Sequence, residues 1–392
     1  MRNSISLIII LLTAVISING QEIPSFLKQV EANNPEIEAY RKLLEARRLE
    51  TRTGIAPPDP VVTLGYMPET TERGGSKKTW SVTQSFSFPT KYLIQNKLGR
   101  EKVILAEQEF NLARLGILLN AKLLLFDLIY YRKTLNILNQ RKLLYDRLKS
   151  GWKKMLEAGE TTILDYNKIL LEFSSLNLSI TRAETEISIL GERLRYMTGN
   201  KADPPANADY PIPPDTDPEK LISEKSRIHP SFILPESEYL ISLQEARLSK
   251  SGSLPEFQAG YASEIVPGET FTGPVAGLSI PLWSNTKRVK TANAMADHYA
   301  AARDARLLEL KSLVQSEYEN MTALKKSISE IRNIVESNGN RYLEKALSGG
   351  EISLTNYFLY LETSFRAEDR LNELENEYYK SMAVLLDHEL IE

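Results

Sequence analysis

Gly159-Glu160-Thr161-Thr162-Ile163-Leu164-Asp165-Tyr166 and Gly350-Glu351-Ile352-Ser353-Leu354-Thr355-Asn356-Tyr357 align without a gap, each between two long helix-patterned stretches. A glycine at such a junction supplies the permissive backbone of a helix C-cap. Working outward from both turns, the same order of elements appears twice. A helix opens on proline at its first position, after Asn34 in one copy and after His229 in the other, where the missing N–H costs nothing. A short alternating run follows a proline and ends Gly-Tyr, at Pro60–Tyr66 and again at Pro255–Tyr261. A second alternating run closes on Pro89 or Pro281, and then come the long helix, the turn and a return helix. Two copies this large describe one duplicated architecture and not a short-repeat solenoid.

The boundaries follow from this reading. Residues 1–20 carry Arg2, an apolar run from Ile5 to Ile18 and a small residue at Gly20, the pattern of an export signal cleaved after Gly20. The first repeat occupies 21–200, with a helix at 34–55, a strand pair at 60–89, a long helix at 95–157 and a return helix at 162–198. Residues 201–229 read as a proline-rich linker. The second repeat occupies 230–392, with a helix at 230–251, a strand pair at 255–281, a long helix at 287–347 and a return helix at 353–390.

Composition removes several function classes. The chain has 392 residues, and 48 Lys+Arg against 51 Asp+Glu give a formal charge of −3. No basic excess is available for nucleic-acid phosphates. Cysteine is absent, which excludes disulfides, thiolate metal sites, thiol nucleophiles and an acylated N-terminal cysteine. The three histidines, His229, His298 and His388, are scattered. Neither metal nor cofactor is expected. Beyond residue 20 no apolar run approaches the ~20 residues of a spanning helix.

Heptads run through the long segments. Ile117, Leu124, Tyr131, Leu138, Tyr145 and Trp152 fall seven apart, as do Leu307, Val314, Met321, Ile328, Val335 and Tyr342. The return helices carry Ile169, Leu176, Ala183, Leu190 and Met197, and Tyr357, Ser364, Leu371, Tyr378 and Leu385. This spacing implies left-handed coiled-coil packing. A second seam, Leu98 to Phe126 through Leu105, Leu112 and Leu119, gives the first long helix neighbours on both sides. That helix spans about 95 Å, and the helices at 34–55 and 162–198 span about 88 Å end to end.

In Thr79–Phe88 one face reads Trp, Val, Gln, Phe, Phe and the other Thr, Ser, Thr, Ser, Ser. Apolar side chains against small hydroxyls suit a transmembrane barrel strand around a watery lumen. A soluble sandwich face alternates in the same way, but here the run stands beside an export signal and paired long helices. Four strands cannot close a barrel, and lipid tolerates no open edge, so several chains must share one. Three would make twelve strands. The connections Glu69–Lys78 and Ile265–Gly273, polar or glycine-bearing, are expected as extracellular loops.

On these residues the chain resembles the TolC-type outer membrane efflux protein family over its whole mature length. Phe88-Pro89-Thr90-Lys91 and Ile280-Pro281-Leu282-Trp283 are similar to the heavy-metal, cobalt–zinc–cadmium-type branch. The resemblance implies a mainly helical chain with a small β part. It also implies a homotrimer with a twelve-stranded barrel in outer membrane lipid and a twelve-helix periplasmic tunnel. Such a channel is a passive, non-enzymatic exit for small molecules or metal ions. It docks to a periplasmic adaptor and an inner-membrane pump of the resistance-nodulation-division or metal-efflux kind. The adaptor contacts would be Gly159, Glu160, Gly350 and Glu351. Asp165 stands at the family's gating aspartate, with Asn356 and Leu359 at the equivalent gate positions of the second copy and Ile352 where some members carry a latching arginine. The residue alone allows a plainer reading of Asp165, a solvated carboxylate favoured at a helix start. A periplasmic adaptor is the alternative function, but it needs one hairpin between β-rich flanks rather than two hairpins alternating with strand pairs. No hydrolase, metalloprotease or phosphate-loop motif appears.

Overall fold

The computed structural model describes residues 22–53, 55–68, 75–214, 217–281, 283, 285–337 and 340–391. The export signal at 1–20 and residues 69–74 of the first strand connection lie outside them. The elements are α1 (Glu22–Asn33), α2 (Pro35–Glu50), β1 (Val61–Pro68), β2 (Ser76–Phe86), α3 (Pro89–Glu157), α4 (Ile163–Met197) and α5 (Pro218–Ile228). They continue with α6 (Pro230–Ser251), β3 (Glu256–Val266), β4 (Glu269–Ser279), α7 (Thr286–Ser337), α8 (Asn340–Ser348), α9 (Leu354–Leu385) and a 3₁₀ turn at Asp387–Leu390.

Several expectations are corrected. The N-terminal helix α1 was not anticipated; its Phe26, Leu27 and Val30 are buried among Leu118, Leu125 and Leu194. The linker 201–229 contains α5, started by Pro218 and by Asp217, whose carboxylate accepts from the Lys220 N–H at 3.1 Å. Helix α3 begins at Pro89 rather than residue 95, so it runs 69 residues, about 104 Å. Of the long helix expected at 287–347, α7 covers Thr286–Ser337 and α8 Asn340–Ser348, and residues 338–339 lie outside the described residues.

The chain divides into two compact units, each drawing on both repeats. One comprises residues up to Ala39, Ala113–Glu224 and Ser312–Glu392. Its core runs along α3: against α1 and α4 through Leu118, Ala121, Leu125, Leu190 and Leu194, then against α4 and α9 through Leu138, Tyr145, Ile169, Tyr357, Phe358 and Leu361. The proline-rich segment is tied down here, because Tyr210 stacks on Tyr379 at 4.2 Å and meets Phe126 edge-on.

The other unit comprises Tyr40–Leu112 and Lys225–Lys311. It holds α2, α6, the sheet and parts of α3 and α7, with ion pairs Arg48–Glu107 at 2.6 Å and Arg303–Glu236 at 3.1 Å. Its strands form one antiparallel sheet in the order β1-β2-β3-β4, which joins the two strand pairs read from the sequence. The join is β2 on β3, with Val82 opposite Tyr261 and Phe86 opposite Phe257. The expected loop Ile265–Gly273 is also corrected. Ile265 and Val266 belong to β3, Glu269–Gly273 belong to β4, and only Pro267-Gly268 turns the chain. Proline fixes the first turn position and Gly268, at φ +90°, takes the second. Ser76–Lys78 of the other expected loop lie in β2.

Candidate functional site

Two places carry functional geometry, the helix turns in one unit and the sheet in the other. At the first turn Gly159 has φ +73° and at the second Gly350 has φ +75°. The Glu160 N–H donates to the Met155 carbonyl at 2.8 Å and the Gly159 N–H to Leu156 at 3.1 Å. Glu351 and Gly350 repeat the pair on Ala346 and Leu347. This double bond pattern is a Schellman C-cap, and it requires the left-handed glycine. The helices then restart on hydroxyl caps, with Thr162 accepting from the Asp165 N–H at 3.1 Å and Ser353 from Asn356 at 3.3 Å.

The expected gate residues separate at this level. Asp165 is half-buried, and its carboxylate accepts from the Thr162 hydroxyl at 2.7 Å and from Thr161 at 3.4 Å, completing a reciprocal cap. Asn356 and Leu359 are exposed. Tyr145 and Tyr357 were read from the sequence as seam residues, but Phe358 was not. Tyr357 and Phe358 are buried against α3 and α4, with Phe358 stacked on Tyr145 at 6.2 Å. Burial pushes the Tyr357 and Tyr145 phenols up to about 12, so both stay protonated. Gly159, Glu160, Gly350 and Glu351, expected from the resemblance as adaptor contacts, stand exposed in pairs on their own turns.

A second group also escaped the sequence reading. On α3, Asp127, Thr134 and Arg141 fall seven apart and all face α9. Asp127 accepts from Lys380 at 3.0 Å and Asn376 at 2.9 Å, and Thr134 accepts from Asn372 at 2.9 Å. Arg141, 8% exposed, bridges Glu368 at 2.8 Å and Asp369 at 2.7 Å and lies over the Phe365 ring. The heptad spacing was present, but a polar seam does not register in a search for apolar ones.

The sheet separates its two faces. One carries Val62, Leu64, Trp80, Val82, Phe257, Tyr261 and Leu278, all well exposed, with Leu64 at 78% and Leu278 at 56%. The other faces a hollow lined by Thr63, Thr79, Ser81, Ala262 and Glu264, with Phe271 and Val275 of β4 on the same face. A Cβ on Gly260 would collide with the Val82 carbonyl and Thr83 of the neighbouring strand, so glycine permits close approach there. Lys77 pairs with Glu264 at 2.6 Å on this polar face. Both sheet edges, β1 and β4, are unpaired within the chain. Among the described residues no helix is long and apolar enough to cross a membrane, and no group of three or more His, Asp or Glu could hold a metal ion.

No family model matches the sequence, and no curated protein matches it. Solved structures do. The chain is similar to a membrane protein from Pseudomonas aeruginosa at TM-score 0.81 and 13% identity, covering 94% of this chain and 90% of that one. It is similar to CusC, described for its transmembrane channel formation, at 0.79 and 11% identity, covering 94% and 92%. It is also similar to the outer-membrane channel OprN at 0.79 and 13% identity, covering 94% and 89%. These are TolC-family outer membrane efflux channels, and the chain has their fold. At 11–13% identity the likeness carries the fold and does not confirm the metal branch.

Proposed function

We propose, from the fold shared with TolC-family channels, that this chain is one third of a passive outer-membrane exit channel. The observation that carries the reading is the sheet: mostly apolar on one face, small and polar through the central strands β2 and β3 on the other, where Val61, Met67, Phe271 and Val275 stand on the outer strands, and open at both edges among the described residues. Such a sheet in lipid must close on other copies of itself. Three copies give a twelve-stranded barrel, with the long helices continuing as a periplasmic tunnel. The exposed turns at Gly159, Glu160, Gly350 and Glu351 meet a periplasmic adaptor, and an inner-membrane pump selects the cargo and supplies the energy. The chain performs no chemistry and uses no cofactor. The adaptor reading of the chain itself is not favoured, since two helical hairpins alternate with two strand pairs that meet in one sheet.

Cross-linking in detergent should stop at three subunits, and reconstituted protein should conduct in planar bilayers. A well-behaved monomer without detergent would overturn the reading. In the trimer Asp165 forms a ring of three carboxylates, a cation-favouring constriction, with Asn356 and Leu359 beside it. Asp165→Ala should weaken cation selectivity and raise resting conductance with the trimer intact, and Asn356→Ala should do less. If neither quantity moves, Asp165 serves only the helix cap it completes, and closure rests on apolar residues such as Ile163, Leu354 and Leu359.

A further inference from the structure

Past the end of β4 the chain places two large apolar side chains in the open. Ile280 is 57% exposed and Trp283 is 82% exposed. Tryptophan is highly buried on average, so an indole this bare on a folded chain marks a surface that something else covers. Immediately after it, α7 opens with Lys287, Arg288 and Lys290, all exposed, and no acidic residue in its first turn. Among the described residues these three cations make no ion pair. Nor do they serve the helix, because positive charge is disfavoured at a helix start.

The equivalent position in the first repeat is built differently. There Phe88 packs against Phe257, and Lys91 is paired with Glu256 at 3.2 Å. Only the second repeat leaves an aromatic and its flanking cations without a partner. The two features lie at one end of the sheet, because Glu256 of β3 pairs with Ser279, the last residue of β4. Ile280 keeps the alternation of Leu278, on the face that also carries Phe257 and Tyr261, and Trp283 stands exposed three residues further on. An amphipathic ring at the border of an apolar band, followed within one helical turn by cations, matches a lipid layer in which acyl chain gives way to anionic headgroup.

We infer that Trp283 and Ile280 enter the headgroup border of the inner leaflet of the outer membrane, and that Lys287, Arg288 and Lys290 bind the phosphates of its anionic phospholipids. This rests on the reading of the sheet as membrane-embedded. It supplies a membrane anchor at the barrel base in a chain that has no cysteine to acylate.

The test uses the full mature chain in nanodiscs of phosphatidylcholine with or without phosphatidylglycerol. In the variant Trp80→Phe/Trp152→Phe, Trp283 is the only indole left. Its emission should be blue-shifted and quenched more by a spin label near the headgroup than by one deep in the acyl chain. In Trp152→Phe/Trp283→Phe, Trp80 should be quenched by the deep label. Trp80 quenched at depth with Trp283 unquenched overturns the anchor while leaving the barrel standing; neither quenched overturns both. Lys287→Gln/Arg288→Gln/Lys290→Gln should reduce the enrichment of phosphatidylglycerol around the protein by about fivefold per charge. Unchanged enrichment, with Trp80 still quenched at depth, overturns the cation assignment.

Discussion

Helix α3 is held on two sides by unlike means. Toward α4 the contact is apolar: Leu138 and Tyr145 pack with Ile169, Leu176, Ile180 and Ala183. Toward α9, beyond the first turns of that helix, a ladder of polar rungs runs from Arg141 with Glu368 and Asp369 to Asp127 with Lys380, beside one apolar contact of Phe126 and Ile129 with Ala383 and Tyr379. Both use a seven-residue spacing. Apolar seams supply adhesion that scales with buried area and tolerates sliding by similar knobs. Polar rungs contribute less net free energy but are satisfied at one register only, since a shift leaves buried donors unpaired. The α3–α4 hairpin is therefore joined by bulk, and α9 is aligned on it by chemistry.

The largest expected effect lies on the apolar side. Ile169 is fully buried, and Ile169→Ala should cost about 2–5 kcal/mol through lost burial and the cavity left behind. Thermal unfolding of the detergent-solubilised protein reads it, and a cost near zero would mean that the seam can collapse around the gap.

The next effect tests the rungs by their asymmetry. Arg141 is buried, whereas Glu368 and Asp369 are 36% and 51% exposed. Removing the carboxylates strands a buried charge; removing the arginine returns two carboxylates to water. Glu368→Gln/Asp369→Asn should therefore destabilise by about 1–3 kcal/mol, discounted for that exposure, and Arg141→Met by less. Equal costs, measured in the same unfolding assay, would show that the rung works through packing on Phe365 and not through charge.

The smallest effect is local. Thr162→Ala and Ser353→Ala each remove a hydroxyl cap worth about 1 kcal/mol. Because only Thr162 also donates to a carboxylate, its loss should be the larger. Hydrogen exchange at the first turns of α4 and α9 measures both, and equal deprotection would mean that Asp165 adds nothing to its cap.

What could be read from the sequence follows the same division. Glycine turns, proline starts and apolar heptads are local signals, and they located both hairpins and all four strands within a few residues. Helix α1 was missed although Ile23, Phe26, Leu27 and Val30 have helical spacing, because twelve residues directly behind an apolar export signal carry too few turns to stand apart from it. Helix α5 hid in a proline-rich stretch whose last proline starts it. The rungs on α3 and α9 pair residues far apart in the chain, and polar residues at heptad positions look like ordinary solvated charge. The union of the strand pairs into one sheet is a matter of long-range register, to which no single segment testifies. At the candidate gate the motif located Asp165 and Asn356, yet only coordinates separate a capped carboxylate from an exposed amide.

The pairing of β2 with β3 has a consequence in time. Val82 cannot meet Tyr261 until the whole first repeat and the opening of the second have been delivered, so the sheet forms well after the first helical hairpin is able to. A lone hairpin is marginal in water, and β1–β2 must wait with Leu64, Trp80 and Val82 uncovered. Contacts this distant in sequence fold slowly and leave strand edges open to aggregation meanwhile. The α3–α4 hairpin has no such delay, since its two helices are neighbours in the chain. The order of maturation is therefore first hairpin early and sheet later, with the interval between them a period in which the chain most needs a chaperone.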